Sequence, residues 1–125
     1  MTKGQIVAVA GLAVAVLGVV AEADAASARA RCRVRDGRVR IQVDGRGLAP
    51  GAYTATVVNA ATSASAVSKL QTATPIVRNL DFDFDSTAGP ADKDTFVPAG
   101  FLAQGQGIQV TVNPGALVTS TACKR

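Results

Sequence analysis

The sequence predicts an all-β protein: a small antiparallel β-sandwich of six to seven strands, preceded by an N-terminal signal-peptide helix. Three observations support this fold class. Apolar residues alternate with polar ones at period two in several short runs, turn residues such as Asp-Gly and Pro-Gly separate the runs, and residues 26–125 show no amphipathic helical period. Short strands at this spacing are typical of two packed antiparallel sheets.

The first 25 residues have the organisation of an export signal. Lys3 provides the positive start, and residues 6–21 are free of charge. Two small-x-small patterns, which signal peptidase recognises, end at Ala25 and at Ala28. Sixteen apolar residues fall short of the roughly 20 that a membrane-spanning helix needs. We therefore expect a signal peptide over residues 1–25 with cleavage near Ala25 or Ala28, a secreted or periplasmic protein, and no membrane span in the mature chain.

The composition of residues 26–125 argues against catalysis. Removing residues 1–25 takes Lys3, Glu22 and Asp24 from 13 basic and 9 acidic residues, which leaves twelve against seven. Without histidine, the chain has no imidazole base, no Ser-His-Asp arrangement and no ordinary zinc site. Its glycines do not have the phosphate-loop spacing either. The sequence thus predicts a non-enzymatic protein.

Two cysteines lie near the two ends of the predicted domain. Cys32 and Cys123 are the only cysteines of the chain, and in an exported protein such a pair is expected to be oxidised. A disulfide between them would close a loop that spans most of the domain, which stabilises a fold by about 4–5 kcal/mol on the chain-entropy model. We therefore predict a Cys32–Cys123 disulfide.

The clearest local signal is a β-hairpin around Asp36-Gly37. Asp-Gly between alternating runs favours a type I′ turn, which fixes the pairing of the two strands. In that register Val34 faces Val39 and Cys32 faces Ile41, all on one buried side.

Further strands follow the hairpin. The alternation predicts strands over residues 54–59, 76–85, 108–112 and 117–123, a loop or weak edge strand over 60–68, and a loop over 86–94. In the second of these strands, Leu80, Phe82 and Phe84 share one face.

Leu48–Tyr53 has the spacing Leu-x-Pro-Gly-x-Tyr, followed by alternating β residues. This motif resembles the start of a strand in bacterial immunoglobulin-like and transthyretin-like modules. The resemblance covers about ten residues. It implies an immunoglobulin-like sandwich with Tyr53 packed at a corner, and it implies no activity.

The other face of the predicted hairpin is rich in arginine. The register places Arg33 opposite Arg40 and Arg35 opposite Arg38, and like charges directly across a strand pair are destabilising. Arg29 continues this face. The candidate anion-binding residues are Arg31, Arg33, Arg35, Arg38 and Arg40.

Three explanations for the arginine face are open at this point. The bland one is screening by solvent and salt. The second is an anionic partner such as lipopolysaccharide or an acidic glycan, held by guanidinium forks on phosphate or carboxylate. Nucleic acid is disfavoured because no aromatic residues are interleaved with the arginines and the protein is exported. The third is pairing with the acidic strand Asp81, Asp83 and Asp85, within one chain or between chains.

That acidic strand also offers a weak calcium hypothesis. The candidate ligands are Asp81, Asp83, Asp85 and Asp92, at spacings that resemble a Ca²⁺ loop. Against it, Ser86 replaces the turn glycine and Pro90 interrupts the loop. Carboxylates on the wet face of a half-buried strand have the same spacing without any metal, and no other cofactor is expected.

Taken together, these features predict an exported, non-enzymatic envelope or extracellular module with a structural or interaction role, through a protein partner or self-association. The alternatives are a binder of anionic envelope polymers through the arginine-rich hairpin and a module weakly stabilised by Ca²⁺.

Overall fold

The computed structural model describes residues 26–115 and 117–124, and over these residues the protein is all-β, as predicted. The predicted signal peptide lies outside the described residues. Across the described ranges, no helix is long and apolar enough to cross a membrane. The strands are β1 (Ser27–Arg35), β2 (Arg38–Arg46), β3 (Gly51–Asn59), β4 (Ser65–Val67), β5 (Gln71–Ala73), β6 (Leu80–Asp85), β7 (Thr95–Phe96), β8 (Gly107–Asn113) and β9 (Leu117–Lys124).

The strands pair in the order β4-β3-β8-β9-β1-β2-β6-β7, and β5 pairs with β3 beside this path. Every pairing is antiparallel except β1 with β9 and β6 with β7. The sheet is nearly closed, because its two ends approach each other. The Lys69 N–H next to β4 donates to Thr95 Oγ1 in β7 at 3.0 Å, and the Gln71 side-chain amide of β5 donates to the Asp81 carbonyl of β6.

This topology differs in two respects from the predicted sandwich of six to seven strands. Nine strands form within the described residues, because three short ones, β4, β5 and β7, pair at the ends and side of the path. The pairing path is also continuous from β4 to β7. The all-β class is therefore confirmed, and the immunoglobulin-like arrangement stays a prediction.

The predicted hairpin is confirmed in detail. Val34 pairs with Val39 and Cys32 with Ile41, as the turn chemistry indicated. Asp36 and Gly37 have φ of 50° and 79°, the positive values that a type I′ turn requires at both central residues. The turn thereby fixes which side chains of β1 and β2 face the core and which face solvent.

The core is built from the inward residues of the long strands, which are the β-branched and aromatic residues of the alternating runs. The largest fully buried side chains include Val39, Ile41 and Val43 of β2, Phe82 and Phe84 of β6, Val57 of β3, and Ile108, Val110 and Val112 of β8. They belong to one hydrophobic cluster that also contains the predicted Cys32–Cys123 disulfide, which is present. The disulfide joins β1 to β9.

One predicted strand begins later than expected. The strand predicted over residues 76–85 included Ile76 and Val77, yet β6 begins at Leu80, and Ile76 is 92% exposed. The Thr74 hydroxyl accepts hydrogen bonds from the Ile76 and Val77 N–H groups, at 3.3 and 2.8 Å. These bonds hold the segment around Pro75 in a turn, so its N–H groups are used locally instead of in a ladder.

Candidate anion-binding groove

The outer face of β1 and β2 is strongly basic. The exposed arginines of β1 are Arg29, Arg31, Arg33 and Arg35, and those of β2 are Arg38, Arg40 and Arg46. Alternation in a strand sends every second side chain to the same face, and here the intervening residues Val34, Val39 and Ile41 are buried in the core. The predicted cross-strand pairs Arg33–Arg40 and Arg35–Arg38 both occur. The fold thus holds like charges side by side.

On the β6 side of this face, one carboxylate offsets the charge. Asp85, whose side chain is only 6% exposed, receives the Arg38 guanidinium through two hydrogen bonds, Nη2 to Oδ2 at 2.7 Å and Nε to Oδ1 at 3.2 Å. Arg40 Nε lies 3.5 Å from the same Oδ2. The Thr87 N–H and hydroxyl also donate to Asp85 Oδ1.

These contacts shift the pKa values of both partners, and each shift favours the charged form. The Arg38 hydrogen bonds hold the pKa of Asp85 well below its usual range, the Thr87 hydrogen bonds act in the same direction, and burial opposes them. The hydrogen bond with Asp85 likewise raises the pKa of Arg38. Asp85 and Arg38 therefore form a bidentate, charge-assisted pair, which is a structural contact within the chain.

On the β9 side the face opens into two adjoining grooves, of about 400 and 330 Å³, which share Arg31 and Gln42. The first is lined by Arg31, Cys32, Arg33, Arg40, Gln42, Thr121, Ala122 and Lys124. The second is lined by Arg29, Ala30, Arg31, Gln42, Asp44, Arg46 and Thr119. Together they follow the length of β1, and we call them the β1 groove.

The β1 groove exists because β1 and β9 pair over a short distance. Among the described residues the two strands are paired only at Cys32–Cys123 and Arg33–Lys124, next to the disulfide. Residues 27–31 of β1 are paired with β2 on one side. On the other side they face the groove, whose far wall carries Thr119 and Thr121 of β9.

Several cations of the β1 groove have no acidic partner. Within residues 26–115 and 117–124, Arg29, Arg31, Arg33 and Lys124 make neither an ion pair nor a side-chain hydrogen bond. Arg46 lies 4.0 Å from Asp44, which is the single carboxylate among the described residues that line the groove. An exposed guanidinium without a partner presents its full set of donors to solvent or to a ligand.

On the β6 side of the face, several carboxylates lie close to one another. Asp44 and Asp81 lie opposite each other in the β2–β6 register. Burial, followed by the hydrogen bond and charge of Asp81, raises the pKa of Asp44. Burial, followed by the charges of Asp94 and Asp81, raises the pKa of Asp83. The outer face is therefore cationic along β1 and anionic along β6.

The four carboxylates of the calcium hypothesis are not brought together. Asp85 is engaged by Arg38, and the Asp92 carboxylate accepts the Gly89 N–H at 2.7 Å. Asp81 and Asp83 follow one strand at intervals of two residues. In the part of the chain that the structure describes, no group of three or more His, Cys, Asp or Glu residues could hold a metal ion.

The structure divides the five predicted anion-binding arginines into groups. Arg31 and Arg33 line the β1 groove and are free; Arg38 is paired with Asp85; Arg40 does both; and Arg35 is exposed beyond the groove. Sequence reasoning missed Gln42, Thr119, Thr121 and Lys124. Lys124 was detectable in principle, because a disulfide at its neighbour Cys123 brings the end of β9 beside β1.

Comparison with known proteins gives no relative. No protein-family model, curated protein or solved structure matches this chain.

Proposed function

We propose that this protein is an exported, non-enzymatic interaction module that binds an anionic polymer through the β1 groove. One observation supports this proposal above the others: Arg29, Arg31 and Arg33 of β1 line a groove that contains one described carboxylate, Asp44, and none of the three makes an ion pair among the described residues, whereas Arg38 and Arg40 of β2 are paired with Asp85. A chain that needed these charges only for folding would gain from pairing them, since like charges across strands are destabilising.

The geometry of the row suits an extended ligand. Alternate residues of a strand are about 6.8 Å apart on one face, so Arg29, Arg31 and Arg33 form a line of roughly 14 Å along the groove. Guanidinium groups bind phosphate, sulfate and carboxylate through paired N–H donors. The hydroxyls of Thr119 and Thr121 and the amide of Gln42 add neutral donors and acceptors between the charges.

The predicted signal peptide and the disulfide support the proposal that the protein is exported. Disulfides persist in oxidising compartments, and residues 1–25 have the pattern of a signal peptide. Because β1 begins at Ser27, cleavage after Ala25 leaves the strand whole, whereas cleavage after Ala28 removes two of its residues. We therefore favour Ala25, and N-terminal sequencing of the secreted protein tests this choice.

An immunoglobulin-like scaffold also belongs to the proposal. Strands β1, β2, β6 and β7 form one set and β4, β3, β8 and β9 another, joined through the two residue pairs of β1 with β9. The Tyr53 hydroxyl donates to the Ala49 carbonyl at 2.7 Å. A tyrosine bonded to backbone four residues upstream is the corner contact typical of such sandwiches.

The binding proposal is tested by the salt dependence of affinity for a labelled heparin oligosaccharide, used as a general polyanion. If about four arginines neutralise anionic groups, log Kd changes with log salt with a slope of about 3. The variant Arg31→Ser/Arg33→Ser should lower that slope by about 1.4, because two contacts are lost.

The matched control is Lys69→Ser/Lys93→Ser, which removes two positive charges from the cavity where the two ends of the sheet path approach each other, and this cavity shares no lining residue with the β1 groove. It should keep the slope within about 0.5 of the original, because neither lysine lines the groove and exposed charges that do not contact the ligand are screened by salt. Equal slopes for the two double variants, or no binding at 50 mM salt, would contradict the proposal.

Self-association is a second candidate, favoured by the division of charge across the outer face. A two-fold-related copy would set the β1 arginines of one molecule against Asp81 and Asp83 of the other. This candidate predicts a mass by light scattering that rises with concentration at low salt and returns to the monomer value in Arg33→Ser/Arg40→Ser. A monomeric mass at every concentration rejects it.

A further inference from the structure

The chemistry of the β1 groove points to a narrower class of ligand than polyanions in general. We infer that its ligand is a linear polyol phosphate, in which a phosphodiester recurs every six backbone bonds, as in poly(glycerol phosphate). This inference rests on the proposed function and specifies its ligand. It stands on three properties of the groove: the repeat of its charges, the polar groups between them, and the absence of aromatic residues from its lining.

The repeat of the charges comes from the backbone itself. Two residues of an extended strand contain six backbone bonds, and they separate Arg29 from Arg31 and Arg31 from Arg33 by about 6.8 Å. One unit of poly(glycerol phosphate) also contains six backbone bonds, from phosphorus through three carbons and two oxygens to the next phosphorus. Two extended chains with the same number of bonds per repeat advance by nearly the same distance, so each phosphate can meet a guanidinium without bending the polymer.

Inorganic polyphosphate and poly(ribitol phosphate) have a different repeat, whereas nucleic acids share the six-bond repeat and differ in the rings that they carry. Inorganic polyphosphate carries a charge every two backbone bonds, so most of its charges would lack a partner along β1. A poly(ribitol phosphate) unit has eight backbone bonds and falls out of step with the arginines within a few units. Counterion release rewards only those phosphates that are actually neutralised, so a mismatch lowers affinity.

The polar groups between the arginines suit a hydroxylated spacer. Gln42 lies directly opposite Arg31 in the β1–β2 register, and it lines both parts of the groove. Thr121 of β9 lines the same part as Arg33. An amide and a hydroxyl can both donate to and accept from the free hydroxyl of a glycerol unit.

The composition of the lining excludes rings from a binding role. None of the described residues that line the groove is aromatic. Single-stranded nucleic acids are held largely by stacking of their bases on aromatic side chains, and this groove offers no such platform. An open-chain spacer needs no stacking surface, so the groove matches a phosphodiester polymer without rings in its backbone.

The inference is tested by measuring the affinity of the disulfide-closed protein for four polymers with equal numbers of anionic groups. The polymers are poly(glycerol phosphate), poly(ribitol phosphate), inorganic polyphosphate and heparin. We expect poly(glycerol phosphate) to bind about five- to tenfold more tightly than each of the others at 0.15 M salt, a difference of roughly one neutralised phosphate.

A variant separates hydroxyl recognition from charge. Gln42→Ala should weaken binding of poly(glycerol phosphate) about threefold and leave inorganic polyphosphate unchanged, because only the former carries hydroxyls. Gln109→Ala, an exposed glutamine of β8 that does not line the groove, is the matched control and should change neither affinity.

The outcomes distinguish this inference from the proposed function. If the polymers bind with salt-dependent affinities that differ by less than twofold, or if heparin binds most tightly, the ligand class is wrong and the anion-binding function stands. If none of the four binds, the proposed function itself fails.

Discussion

Arg31 and Arg38 lie on neighbouring strands of the same outer face, but their surroundings differ. Arg38 is held by Asp85 through two hydrogen bonds, whereas Arg31 lines the β1 groove and has no acidic partner among the described residues. The difference comes from the neighbouring strand in the sheet. The outer neighbour of β2 is the acidic strand β6, whereas the other neighbour of β1 is β9, which pairs with it over two residues only among those described. Identical side chains on one face thus serve the fold in one place and remain available for a ligand in the other.

The largest expected effect comes from removing the disulfide, which holds β9 beside β1 at one end of the groove. The double variant Cys32→Ser/Cys123→Ser should lose about 4–5 kcal/mol of unfolding free energy, because the disulfide closes a loop that spans most of the domain. It also frees the end of β9, so polyanion affinity should fall as well. Chemical denaturation of the oxidised protein and the variant measures the first effect. A loss below 1 kcal/mol would contradict it.

The variant Asp85→Asn disrupts the ion pairs on the β6 side of the face. This change removes the charge that Arg38 and Arg40 share, and it should cost about 1–3 kcal/mol of unfolding free energy. The matched control is Asp83→Asn, two residues away on the same strand. Because burial and neighbouring carboxylates already raise the pKa of Asp83, neutralising it should leave stability unchanged or slightly higher. Equal losses in both variants would show that Asp85 has no special role.

The pH dependence of stability sharpens the same contrast. The native pKa of Asp85 is lowered, so its contribution is complete above the unfolded carboxyl value of about 4 and is lost as the pH falls below it. The native pKa values of Asp44 and Asp83 are raised, so protonating them between pH 7 and about 4 should stabilise the fold.

The unfolding free energy should therefore rise slightly from pH 7 into the mildly acidic range and fall at lower pH. Thermal melts across pH 2–8 measure this profile. In Asp85→Asn the decline at the lowest pH should become shallower. A profile that falls steadily from pH 7 downward in the wild type would oppose the assignment.

The smallest expected effect concerns single arginines. Arg33→Ser should change stability by less than about 0.5 kcal/mol, because the side chain is exposed and lies opposite another cation. Arg38→Ser should cost about 1–2 kcal/mol, since it leaves the buried Asp85 carboxylate with fewer donors. Melting temperatures of the two variants give the comparison, and a larger loss for Arg33→Ser would reverse it.

The part of the fold that follows from local chemistry was predictable from the sequence. Asp36-Gly37 determines the turn and, through it, the pairing of Val34 with Val39 and the row of arginines. The disulfide followed from two cysteines near the ends of a chain that begins with a predicted signal peptide. In contrast, residues 76–79 were included in a strand because the β-branched Ile76 and Val77 precede the alternating run, and the Thr74 hydroxyl bonds the N–H groups of these two residues in a turn instead.

The candidate site was only half predictable. Pairing of the arginine face with the acidic strand was one of the explanations that the sequence offered, and Arg38 does pair with Asp85. That Asp85 would be the partner and Arg38 its main contact depends on the register of β2 with β6, which are separated in the chain by three other strands. The groove likewise depends on where β9 leaves β1, which no local pattern encodes. Sequence reasoning could therefore identify a basic face, but it could not tell which of its arginines are free.

The difference between free and paired arginines is measured most directly by NMR of the arginine side-chain Nε–Hε groups during titration with poly(glycerol phosphate). The resonances of Arg31 and Arg33 should shift with saturation, while that of Arg38, held on Asp85, should stay in place. A shift of Arg38 with Arg31 and Arg33 unmoved would contradict the assignment of the β1 groove as the binding surface.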